Sequence, residues 1–449
     1  MNALTQYLTL YRDCRATIDA HAPDALNRRR EAAFSRLESL GRLPERGDEG
    51  FEKVSVNDMF APDFGINIAR VPFGDDGRGG VHGCDIPNVG TYPVTVVNDA
   101  FRAPGLKLPG GLEVKSLAEA LKENPALADV SALDRGNPLV ALNDLFVQDG
   151  VYIHVDAGVR VDRPVQILSL FNASQPLMAA RRIVVHLERG ASLSVIACDH
   201  PRTAEVDYLS CRTVDLLLGA DSQLDFYDLE EATPRCSRAS VTASAQEAGS
   251  RLNVMSVTLD GGVTRNEYYA AHRGDGCSTS LGGLVIAGGA QVVDNATFVT
   301  HDREHGTSDQ LFKYVLFDSA QGAFEGLVTV APHARFTDAS QSNRNLLASP
   351  SARMHAMPQL IINCDDVKAS HGSATGQLDS EALFYMRSRG IPLAEARMML
   401  ISAFMAEGLD RIHHEPLRQT LRMLLDRRLH GCSASCESCG IEPLRRRQV

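Results

Sequence analysis

The sequence predicts a mainly β chain, a solenoid of short strands held between two helical ends. Three observations carry that prediction. From about residue 90 to 375, apolar and polar side chains alternate at a period of two, as where Val151, Ile153 and Val155 alternate with Tyr152 and His154. Turn glycines between such runs fall at 158, 190, 219, 249 and 274, in steps of 32, 29, 30 and 25 residues. A pair of strands at every such step is what a solenoid produces, because a single coil cannot bury its apolar face alone and must stack on its neighbours. Helical spacing of apolar residues, by contrast, is confined to the two ends of the chain. A β-sandwich would also space its turns regularly, but this zone is long for one sandwich. The absence of Trp, with 6% aromatic residues against 36 Gly, suits repetitive β structure better than a helical core.

Four segments follow from the pattern. Residues 1–90 read as a helical region and linker. Glu31 to Leu40 sets Phe34, Leu37 and Leu40 on one stripe, with Gly41 as a helix stop and Pro44 beyond it. Arg28-Arg29-Arg30 reads as a solvated face, and residues 47–90, rich in Gly, Asp and Pro, as a connecting segment with weak strands. Residues 91–375 form the β core. Its strands include Val159 to Val161, Val165 to Ile167, Ile183 to Leu187, Ala191 to Ile196, Val214 to Leu218, Leu224 to Tyr227, Leu252 to Leu259 and Leu284 to Ile286. Residues 376–431 are helical: Asp379 N-caps a helix that Gly390 stops, Pro392 opens a second running toward Gly408, and Glu415-Pro416 opens a third ended by Gly431. Residues 432–449 are a basic tail holding Cys432, Cys436 and Cys439 and ending in Arg445-Arg446-Arg447.

The 449 residues carry 45 Lys and Arg against 56 Asp and Glu, a net charge of −11. That balance speaks against a nucleic-acid partner. The start of the chain has no apolar signal region and no run approaches a membrane span, so the expected location is the cytosol, with the ten Cys reduced.

Catalytic motifs are sparse. No Gly-Lys dipeptide occurs, hence no phosphate-cradling P-loop and no nucleotide expected on this chain. Gly77-Arg78-Gly79-Gly80 lacks the strand and helix a nucleotide loop needs. His301 and His305 are four apart, but follow a strand-like run and have Asp302 where a zinc protease has Glu, which favours a structural strand end. Cys198 and His200 read as core residues on one strand face. Cys432, Cys436 and Cys439 could chelate zinc or iron, or form a structureless redox-active tail. Asp365-Asp366-Val367-Lys368-Ala369-Ser370-His371-Gly372 closes the β zone with an ionisable edge, where a neutral imidazole at His371 is a candidate iron ligand beside a plain capping role.

Several of these stretches resemble one family. Val299-Thr300-His301-Asp302 through Thr307-Ser308-Asp309-Gln310, Phe324-Glu325-Gly326, Ser342-Asn343-Arg344-Asn345-Leu346-Leu347, Asp365-Asp366-Val367-Lys368, Ser370-His371-Gly372, Gly376-Gln377-Leu378-Asp379 and Ala382 to Ile391 are similar to the SufB/SufD family of iron–sulfur cluster assembly proteins. The strong match spans about 290–412, with a weaker echo at Arg36 to Lys53. Within the family the chain looks like SufD: Asn343 or Arg344 stands where SufB-like chains have a cysteine, and Gly372 follows His371 where they have a His-Glu pair.

The resemblance implies a right-handed parallel β-helix flanked by N- and C-terminal helical parts, acting as a non-catalytic scaffold in a SufBCD-type complex. It implies pairing with a SufB-like paralogue through the last coils, at His371, Lys368, Ser370 and Asp366, with a transient iron–sulfur cluster at that interface. It further implies that a SufC-like ATPase binds the C-terminal helices around Phe384, Tyr385, Arg387, Arg389, Gly390 and Ile391. Ala369 replaces a cysteine common in the family, and the three-cysteine tail lies outside its pattern. The alternatives are a SufB-type primary scaffold, which lacks its cysteine here, and a β-helix carbohydrate-active enzyme, which would carry rows of carboxylates and aromatics on one face. Removal of residues 377–449 is expected to leave a soluble β core.

Overall fold

The computed structural model describes residues 2–429 except 72–89 and the single positions 104, 135 and 203. From Gly150 onward, each strand pairs in parallel with the strand two further along the chain, so the strands sort alternately into two facing sheets. Gly150–Val155, Leu177–Leu187 and every second strand to Arg353–Ile362 make one sheet; Val165–Phe171, Ser192–Pro201 and every second strand to Val367–Gly376 make the other. Thr264 pairs with Val293 and Val293 with Gly322, each 29 residues on, whereas Thr307 pairs with Asp338, 31 on. These steps are the period seen in the turn glycines. The parallel pairing separates solenoid from sandwich: side chains one coil apart stack directly over one another.

Apolar side chains from both sheets fill the space between them, among them Ile183, Val214, Phe226, Val254, Phe312 and Phe324. The outer faces are covered by helices. On the first sheet, α1 (Ala3–Ala20), α2 (Asp24–Leu40) and α3 (Val56–Phe60) pack together with α4 (Leu117–Glu123) and α5 (Pro138–Phe146). On the second sheet lie α7 (Leu393–Leu409) and α8 (Glu415–Leu429), while the shorter α6 (Ser380–Ser388) packs on α7.

Local sequence signals match the structure at several helix ends. Gly41 takes a φ of 74° after α2, the Asp379 carboxylate accepts from the backbone N–H of Glu381 and Ala382, Gly390 takes a φ of 87°, and Pro392 caps α7. Other expectations need correction. α2 begins at Asp24 rather than Glu31, and Arg29 and Arg30 are buried rather than solvated. The Arg30 guanidinium donates to the carbonyls of Asp144 at 3.0 Å, Leu145 at 2.6 Å and Val147 at 2.8 Å, satisfying the end of α5. The described part of 47–90 holds α3 and one bridge, Gly65 to Leu177, in place of strands. Val159 to Val161 is a turn with a single bridge at Arg160, and α4 and α5 interrupt the zone read as strands.

α7 runs toward Gly408 as expected and ends at Leu409; a Cβ at Gly408 would stand 2.3 Å from Leu284, so the glycine permits close approach of helix and sheet. Finally, Ile401, Met405, Leu409, Leu417, Leu421 and Leu425 form one core with the outer face of the second sheet. Removing 377–449 would bare that apolar face, which argues against the expectation that the remaining β core stays soluble.

Candidate functional site: the open end of the β-helix

The two ends of the solenoid differ. At the N-terminal end, strands Tyr92–Val97 and Ala100–Arg102 extend one sheet and Leu112–Ser116 extends the other, with two antiparallel pairings. At the C-terminal end, Arg353–Ile362 and Val367–Gly376 are simply the last strands of their sheets. Neither contains a buried residue, and Ile361, Ile362 and the nearby Phe336 are exposed large apolar side chains. A Cβ added at Gly372 or Gly376 would meet open space. Ten-residue edge strands of this kind present free N–H and C=O groups for another strand to pair with.

Register fixes where each predicted residue lies. His371 is opposite Gln341, whose buried amide follows Gln310 one coil back; Nε2 of Gln341 donates to Oε1 of Gln310 at 3.4 Å, and Thr297 Oγ1 donates to the same oxygen at 2.7 Å. His371 therefore continues an inward-facing polar column, exposed only because no further coil covers it. Lys368 and Ser370 belong to the outward set, opposite Asp338 and Ser340, and Asp366 sits in the preceding turn, where its carbonyl accepts from Phe336 N–H at 2.7 Å. Ala369 shares the inward set of His371 and lies opposite Ala339. Cys364 is half-buried in the connection before the strand.

The choice between Asn343 and Arg344 is one of face. Asn343 is fully buried, and its Oδ1 accepts from Asn345 Nδ2 at 2.6 Å and from Ser373 Oγ at 3.1 Å. Arg344 points outward to Glu407 of α7 at 3.0 Å. Amides and hydroxyls thus line the interior just beneath the open end, where aliphatic side chains fill earlier coils. These side chains offer neutral donors and acceptors, His371 adds a group able to bind a proton or a metal, and the half-buried free Cys364 packs against the same inner core.

The second predicted region is α6. It has no buried residue; Phe384 is 76% exposed and Tyr385 59%. Arg389 lies over the Tyr385 ring at 5.1 Å and donates to its hydroxyl at 3.2 Å, which holds the aromatic outward. Arg387, Arg389 and Gly390 are exposed and Ile391 is half-buried, so all six predicted residues reach the surface.

His301 and His305 do not converge. His301 is buried edge-on against His272 at 4.4 Å, its Nε2 bonded with Ser308 Oγ at 2.8 Å, while His305 stacks on Phe336. Burial pushes His272 down to about 3 and His301 to about 4, so both are neutral structural groups. Cys198 and His200 are core residues, as expected. Gly77–Gly80, Cys432, Cys436 and Cys439 lie outside the described residues.

Sequence reasoning missed the buried charge lattice of Arg181, Asp199, Arg212, Asp228 and Arg238, in which Arg212 meets Asp228 at 2.5 Å and Arg181 meets Asp199 at 3.2 Å. It also missed His154, Asp156 and Glu188, which coil stacking brings together. Aligning polar residues at the 30-residue period would have revealed both.

Residues 170–404, more than half the chain, match the SufBD core domain of the SUF system for iron–sulfur cluster assembly, and residues 1–167 match the SufBD protein N-terminal region. The chain is 27% identical over 425 residues to an iron–sulfur cluster assembly SufBD family protein of Synechocystis, covering 91% of this chain and 92% of that one. It is 36% identical to the iron–sulfur cluster assembly protein SufD of Escherichia coli over 176 residues, 39% of this chain and 42% of that one. To SufD of Bacillus subtilis it is 24% identical over 295 residues, 65% of this chain and 67% of that one.

Proposed function

We propose, because this chain belongs to the SufBD family of iron–sulfur cluster assembly proteins, that it is a SufD-like scaffold subunit without turnover of its own. It pairs with a SufB-like paralogue through the last coil and receives a SufC-like ATPase on its C-terminal helices. The observation that carries this reading is the bare end of the solenoid: two adjacent edge strands with no buried side chain, beside exposed Ile361 and Ile362. A paralogous β-helix end has the complementary strands and spacing to continue both sheets. His371, on the inward column at that end, is the group placed to take an iron ion or a proton while a cluster forms between the subunits, with Lys368, Ser370 and Asp366 around it.

The exposed Phe384 and Tyr385 support α6 as the ATPase contact, since a helix held only by its neighbour has an apolar face to spare. Nucleotide hydrolysis is assigned to that partner. No helix among the described residues is long and apolar enough to cross a membrane; the cytosol is the proposed location.

The test is co-expression with candidate SufB-like and SufC-like partners, followed by iron and sulfide analysis of the purified assembly. Ile361→Asp puts a charge at the edge without disturbing this subunit's own core, and it should abolish recovery of the SufB-like chain. Undiminished recovery would refute the pairing surface.

A further inference from the structure

We propose that His154, Asp156 and Glu188 form a binding site for a divalent transition-metal ion on the outer surface of the first coils. His154 lies near the end of strand Gly150–Val155, Asp156 in the turn that follows it, and Glu188 just beyond the neighbouring strand Leu177–Leu187. One ligand atom from each lies within 4.8 Å of the others. Nε2 of His154 is 3.3 Å from Oε1 of Glu188, and its Nδ1 is 3.6 Å from Oδ1 of Asp156. Metal bonds of about 2.0–2.2 Å draw adjacent donors to about 3 Å apart, and because an ion takes one imidazole nitrogen, binding at Nε2 beside Glu188 requires the exposed Asp156 to swing across from the Nδ1 side by side-chain rotation. The other oxygen of Glu188 accepts from the Ala157 N–H at 3.2 Å, which anchors that carboxylate and leaves Oε1 toward the imidazole.

His186, the register partner of His154 on the adjacent strand, lies beside the cluster, with ring centres 5.3 Å apart. Imidazole and carboxylate together suit zinc or ferrous iron; calcium and magnesium prefer oxygen alone. The half-exposed carboxylates leave positions for water, as in an exchangeable site rather than a closed structural one. Seven strand steps in the same sheet separate this cluster from the last coil, about 34 Å at about 4.8 Å per step, so it does not depend on the reading of the open end.

The experiment uses the full chain stripped with a chelator and then given Zn²⁺ alone. Histidine modification by diethyl pyrocarbonate is followed peptide by peptide, with exposed His21 as the control. Zn²⁺ should slow modification of His154 at least about tenfold, Mg²⁺ should not, and His21 should be unaffected. Glu188→Gln and Asp156→Asn, which keep shape at exposed positions, should each remove the protection. No protection of His154 at Zn²⁺ up to about 1 mM would overturn the site. Equal protection in both variants would also overturn it, and a loss of thermal stability without any metal effect would leave only an ion-pair cluster.

Discussion

Replacing Arg30 by methionine removes a fully buried guanidinium that joins α2 to α5. Three carbonyls at the end of α5, those of Asp144, Leu145 and Val147, lose their donor, and Asp19, 3.3 Å away, loses its cationic partner. Hydrogen bonds from a charged donor contribute about 1.5–3 kcal/mol each and do not add fully. Against that loss, methionine fills most of the volume and avoids burying a charge, which returns part of the cost. The net expectation is a destabilisation of about 3–5 kcal/mol. Arg30→Lys keeps the charge, but a single ammonium cannot span three carbonyls in the planar fork that Arg uses, so about half that loss is expected. Hydrogen–deuterium exchange over Pro138–Phe146 is the direct assay, since local opening exposes those amides first. A loss of about 3 kcal/mol speeds their exchange about 100-fold, at about 1.4 kcal/mol per tenfold. Unchanged exchange in Arg30→Met, or a lysine variant as protected as the wild type, would refute the capping role.

Four further outcomes follow. His371→Ala should lower iron and sulfide in the assembled complex while leaving this subunit's melting temperature within about 1–2 °C, because the side chain is exposed; normal cluster content would leave His371 without a role in assembly. Phe384→Asp should abolish recovery of the SufC-like ATPase and spare the SufB-like partner, since α6 buries no residue of its own; retained ATPase would move that contact elsewhere. His413 is raised above 6.5, first by its hydrogen bond to Asp225 at 2.8 Å, so its contribution to docking the α7–α8 connection is full below the ordinary imidazole value and fades as pH rises through the folded value. Exchange protection of α8 should therefore weaken over that window in the wild type and be flat in His413→Gln; identical profiles would exclude the linkage. A triple Cys→Ser change at Cys432, Cys436 and Cys439 should retain complex formation and cluster assembly, and a collapse of assembly would promote the tail above His371.

The fold class, the coil period and the helix boundaries at Gly41, Asp379 and Gly390 were all legible in the sequence, because each rests on interactions within about four residues or on a repeat that needs no partner to be seen. The stretch from Asp365 to Ile391 likewise carried its family resemblance without any coordinates. Spacing alone left solenoid and sandwich both standing, since a turn every 30 residues does not say which strands pair; the 29-residue parallel register decides that. Arg30 looked like part of a solvated run because the three carbonyls it caps lie more than 100 residues away, and only the docking of α5 turns an exposed cation into a buried cap. Asn343 and Arg344 are sequence neighbours that strand parity sends to opposite faces, one into the interior and one to Glu407. His154 and Glu188, 34 residues apart, meet because successive coils stack. Burial and long-range proximity belong to the assembled chain: whether a charged side chain meets water, a carbonyl or another charge depends on which distant segment lands upon it, and stacking register, not local propensity, selects that segment.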